Sequence, residues 1–236
     1  MEGKRQEARD KKTRMPYPDQ DRFAGALFWT CLFAIAFAFV ESSVVVYLRA
    51  IYYPDGFTFP LRLIEQEHLF VEILREAATI IMLVAVGFLA GRTGWQRFGF
   101  FLICFGVWDI FYYVWLKVLL DWPSSLADWD VLFLIPVPWI GPVLAPVLIS
   151  LLMICCGWVI VQRTAAGKPF DPGFPSWVAA SAATVIILYT FVGDLPATLK
   201  GAMPQPYSYW LLATGLVLYG ASCYLACAVP GADRNT

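Results

Sequence analysis

Residues 23–48 read FAGALFWTCLFAIAFAFVESSVVVYL, and the only charged side chain among them is Glu41. At about 1.5 Å of rise per residue, a helix of this length crosses a hydrocarbon core of about 30 Å. The run is apolar on every face, so it has no polar side to offer water. Five more runs of the same kind follow, over about Leu69–Ala90, Phe98–Leu120, Trp139–Val161, Trp177–Val192 and Tyr209–Ala228. The chain as a whole is 59% hydrophobic and 15% charged, with a mean hydropathy of +0.63. A soluble domain carries about 25% charged residues. The sequence therefore predicts an all-α, polytopic transmembrane bundle of about six spans. Its environment is the lipid bilayer.

One stretch departs from this pattern. Residues 129–161 are too long for one straight span and hold Pro136, Pro138, Pro142 and Pro146. Proline removes a backbone donor and kinks or breaks a helix. The reading is a proline-rich broken or re-entrant piece over Asp130–Pro138, followed by span four. Asp130 stands where it would N-cap a short half-helix.

The ends are polar. Residues 1–22 mix basic and acidic side chains around Pro16 and Pro18 and read as a disordered cytoplasmic tail. The apolar run after it is too long for the core of a cleaved signal peptide. The transmembrane domain is expected over 23–228, with a short cytoplasmic tail at 229–236. With the N-terminus inside, twelve Lys and Arg fall on the inner side and four (Arg49, Arg62, Lys117 and Lys200) on the outer, with Arg75 inside a span. This asymmetry obeys the positive-inside rule and puts both termini in the cytoplasm, in a bacterial inner membrane. Trp and Tyr near the span ends form the expected aromatic belt.

The six cysteines, Cys31, Cys104, Cys155, Cys156, Cys223 and Cys227, all lie in spans, in their inner halves on this topology. That is the wrong side for a disulfide framework. No pair has the C-x-x-C spacing of a thiolate metal site, so they read as packing residues.

Ionisable groups inside spans cost roughly 2.5–3.5 kcal/mol each at a helix centre, which makes them the place to look for function. Four acids qualify: Glu41, Glu72, Glu76 and Asp109. His68, Glu72, Arg75, Glu76 and Thr79 recur at three- and four-residue steps and form one polar stripe along the second helix. Asp109, Tyr112, Tyr113 and Lys117 share a face of the third helix, and Glu41, Val45 and Arg49 a face of the first. If the three helices are neighbours, the acids converge on one pocket, with Arg75 at similar depth and Arg49 and Lys117 nearer the outer surface. The acids then outnumber the bases, and a buried carboxylate without a partner takes up a proton or holds a cation.

Three function classes follow. The first is a proton- or cation-coupled carrier or ion-binding protein working through Glu41, Glu72, Arg75, Glu76 and Asp109, with Arg49, Tyr112, Tyr113 and Lys117 in support. The second is an accessory subunit of a larger membrane complex, or a homo-oligomer, with aromatic-rich helices as contact surfaces. The third is a metal-dependent membrane enzyme with His68, Glu72 and Glu76 as ligands from one helix face. A single histidine excludes bis-histidine haem. No nucleophile elbow, zincin motif or phosphate loop is present in the sequence. A net charge of −1 without a basic domain surface argues against a nucleic-acid partner.

Overall fold

The computed structural model describes residues 20–59, 65–202, 204 and 206–228. The expected tails and Arg62 therefore lie outside the described residues, except for the end of the N-terminal tail, which is already helical. The elements are α1 (Gln20–Tyr52), α2 (Gln66–Ala90), α3 (Gly94–Leu120), β1 (Trp129–Phe133), β2 (Trp139–Pro142), α4 (Leu144–Ala165), α5 (Phe174–Val192), the single turn α6 (Leu195–Thr198) and α7 (Tyr209–Ala228). Among the described residues, six helices are long and apolar enough to cross a membrane. Large apolar side chains point outward along them, among them Trp29, Phe70, Leu89, Phe174 and Trp210. Lipid tails accept such a surface; water would not. The chain is a polytopic membrane protein.

Helix α3 is the centre of the bundle and packs along α4, α1 and α2. Its approach to α4 is set by small residues. A Cβ at Gly106 would stand 2.5 Å from the Ser150 carbonyl oxygen, and one at Gly157 would stand 2.6 Å from that of Gly99. Association of helices in lipid relies on such close backbone contact, because no hydrophobic effect drives it there. The short connection at Gly91–Gly94 turns α2 into α3. Thr93 caps α3 by accepting the Gln96 N–H at 3.2 Å.

Helices α5 and α7 form a second unit. Ser176 and Ser222 exchange hydrogen bonds at 2.8 and 2.9 Å, and the Thr184 and Tyr219 hydroxyls meet at 2.6 Å. The pair is tied to the rest partly through β2, where Trp139 stacks on Phe191 with centroids 6.0 Å apart.

The proline-rich piece is a β-hairpin rather than a broken helix. Strands β1 and β2 pair antiparallel, with Trp129 opposite Pro142, Asp130 opposite Gly141 and Phe133 opposite Trp139. Asp130 is accordingly a strand residue, and the half-helix cap expected of it does not form. Span four starts later than expected, at Leu144, because residues 139–142 belong to the second strand. The hairpin folds back among the helices. Phe133 stacks on Phe105 with centroids 6.4 Å apart and lies beside Trp108, both near the middle of α3. Backbone at such depth needs internal partners. The composition helps: Pro136 and Pro138 bring no N–H to the tip, and the Leu134 N–H has an acceptor from α2, described next.

Candidate functional site: an acidic cavity under the hairpin

Helices α1 and α2 touch sparingly. The space between them, α3 and the hairpin is a cavity of about 260 Å³. Their relative register is readable from two contacts. The Tyr52 hydroxyl meets His68 Nδ1 at 2.5 Å, and the Thr79 hydroxyl donates to Glu41 Oε1 at 2.6 Å. Eleven residues, or about 16 Å of helix, separate the two contacts on each helix. The antiparallel pair is thus in step, and its acids arrive at matching depth.

Arg75 lies between two carboxylates. Its guanidinium bonds Glu72 Oε2 through Nε at 2.9 Å and pairs with Glu41 Oε2. One cation therefore serves two acids, and Thr79 supplies Glu41 with a further donor. Glu76, one turn along, does something else. Both of its oxygens accept the Leu134 backbone N–H, at 3.1 and 2.9 Å. It holds the hairpin tip. Asp109 Oδ2 accepts the Ser150 hydroxyl at 2.8 Å across the α3–α4 seam.

The remaining pair was not foreseen. Arg49 does not turn toward Glu41; its Nη2 bonds Asp130 Oδ1 at 3.1 Å. Its guanidinium carbon lies 3.7 Å from the centroid of a Trp122 ring and 4.4 Å from that of Phe57. Asp130 comes from the hairpin, which sequence periodicity could not place beside α1. It is the fifth carboxylate on the cavity wall.

All five acids, Glu41, Glu72, Glu76, Asp109 and Asp130, line the cavity and are nine-tenths or more buried. Arg49 and Arg75 are the bases on the same wall. The expected helper Lys117 is elsewhere: half exposed at the end of α3, it pairs with Asp121 at 2.7 Å. That contact holds the exposed Asp121 carboxyl below the usual carboxylate range. Tyr112 and Tyr113 do line the cavity. His68 is half exposed at the rim, engaged with Tyr52, and the structure does not gather it with Glu72 and Glu76. Among the described residues no group of three or more His, Cys, Asp or Glu is placed to hold a metal ion.

Five carboxylates against two guanidiniums leave a formal excess of three negative charges. Three acids keep an oxygen without a hydrogen bond: Glu72 uses only Oε2, Asp109 only Oδ2 and Asp130 only Oδ1, and the Oδ2 of Asp130 is sealed inside the protein. Neither Glu72 Oε1 nor Asp109 Oδ1 is sealed away as a buried atom without a partner. Both residues line the cavity. No protein-family model matches this chain, and neither curated proteins nor solved structures give a significant match.

Proposed function

We propose that the chain is a carrier for protons or other cations, working through the acidic cavity under the hairpin. The charge imbalance on the cavity wall carries this reading. A fully ionised set would place three uncompensated charges out of bulk water, at a cost of several kcal/mol per ion. Protons or a cation from solution must neutralise them, and a site that exchanges the two is the minimal requirement for coupling. Glu41, Glu76 and Asp130 have structural partners. Glu72 and Asp109 are the groups that load and unload, with Tyr112 and Tyr113 beside them.

The positive-inside count orients this carrier. Both termini are cytoplasmic, the cavity and hairpin lie toward the outer side of an inner membrane, and the hairpin is a re-entrant element that closes the cavity.

The test is flux. Purified protein in vesicles loaded with a pH-sensitive dye should dissipate an imposed gradient. Glu72→Gln and Asp109→Asn should abolish that flux while membrane insertion is intact. Wild-type flux in both variants would sink the proposal. Extraction from native membranes, with mass spectrometry of co-migrating chains, checks the competing reading: a stoichiometric partner would make this chain a subunit.

A further inference from the structure

We infer that the cavity binds an organic ammonium ion, one whose positive charge is spread over several carbon atoms. This rests on the carrier reading and names its substrate class.

A bare metal ion demands oxygens converging on a point, six to eight of them at about 2.3–2.6 Å in the case of calcium. The described residues offer no such cluster. The uncommitted oxygens belong to different walls, Glu72 Oε1 to α2, Asp109 Oδ1 to α3 and the sealed Asp130 Oδ2 to the hairpin. The space between is larger than an ion needs. At about 260 Å³ it approaches the small end of the roughly 300–1,000 Å³ range of ligand pockets.

The rest of the lining suits a soft cation. Tyr52, Trp108, Tyr112 and Phe133 face the cavity together with the acids. Aromatic faces attract ammonium groups, and quaternary ammonium recognition is their characteristic use. The site already holds one cation this way, since Arg49 lies on Trp122 and Phe57 while paired to a carboxylate. A second cation, brought by a ligand, would meet the same two features: an aromatic face and a buried acid with a free oxygen. When the ammonium enters, one proton leaves Glu72 or Asp109, so the charge of the cavity is unchanged. The exchange is one cation for one proton.

Equilibrium binding of radiolabelled benzyltrimethylammonium to the purified full-length protein in detergent tests this. Saturable binding is expected, displaced by excess unlabelled compound but not by sodium or by the uncharged isostere neopentylbenzene. Glu72→Gln and Asp109→Asn should each weaken it by about tenfold or more, equivalent to about 1.4 kcal/mol. In a weakly buffered solution, binding to the wild type should release protons, a readout that needs no variant to fold. Absence of saturable binding to monodisperse wild-type protein would overturn the inference, as would displacement by sodium or by neopentylbenzene. Carboxylate-dependent flux without ammonium binding would leave the carrier standing and remove this ligand class. Binding without flux would keep the site and remove the carrier.

Discussion

Replacing Arg49 by methionine is the sharpest test of how the hairpin is anchored. Arg49 and Asp130 are both nine-tenths buried and joined by a contact of 3.1 Å. Removing one partner of such a pair strands the other charge and costs about 3–5 kcal/mol. The two ring faces at 3.7 and 4.4 Å lose a cation as well. Methionine keeps much of the apolar volume between them, so the stranded Asp130 dominates the loss. For a chain of this size such a loss lowers the unfolding midpoint by roughly 6–20 °C. Thermal unfolding in mild detergent, followed by size exclusion, measures it. The decisive comparison is with the double variant Arg49→Met, Asp130→Leu. Replacing both charges of a buried pair with apolar groups is often neutral, so most of the midpoint should return. If the two single losses simply add in the double variant, or if Arg49→Met unfolds within about 1 kcal/mol of the wild type, the pair does not anchor the hairpin.

Other consequences are simpler. Glu76→Ala leaves the Leu134 N–H without its acceptor, at about 1–3 kcal/mol; hydrogen exchange at that amide should accelerate, whereas Glu76→Gln, which keeps an accepting oxygen, should largely preserve protection. Gly106→Val drives a side chain into the Ser150 carbonyl at 2.5 Å and should cost about 1–3 kcal/mol in unfolding measurements, while Gly25→Ala, with nothing within 4 Å of its new Cβ, should stay within about 0.5 kcal/mol.

The spans were legible because lipid imposes one simple demand, about 20 apolar residues in a row. The positions of Glu41, Glu72, Arg75, Glu76 and Asp109 along their helices were legible for the same reason, since helical rise converts sequence number into depth. Two things were not. The prolines at 136, 138, 142 and 146 signalled a break but not its form. They suit a hairpin tip as well as a helix kink, and strand pairing depends on residues thirteen apart, such as Trp129 and Pro142. The partner of Arg49 was hidden in turn. Helical periodicity aligned it with Glu41, two turns below, but the nearer acid arrives on the hairpin. Lys117 erred in the opposite direction, because the left-handed turn at Asp121 offers it an exposed partner on its own helix end.

The five cavity acids divide by how fully protein donors claim them. Glu76 looks like the others by depth and burial, yet a hairpin amide occupies both its oxygens. Asp130 is held by Arg49, and Glu41 by Arg75 and Thr79. These three acids tie together α1, α2 and the hairpin, the elements that enclose the cavity. Only after that enclosure exists do Glu72 and Asp109 line a cavity, each with one oxygen that takes no hydrogen bond among the described residues. The structural acids therefore create the conditions under which the remaining two are costly to leave charged. This ordering separates the variants by phenotype. Losing Glu41 or Asp130 should lower stability and function together. Losing the Glu72 or Asp109 charge should lower function more than stability, because neutral Gln or Asn removes a repulsion and keeps an oxygen to accept from Arg75 or Ser150.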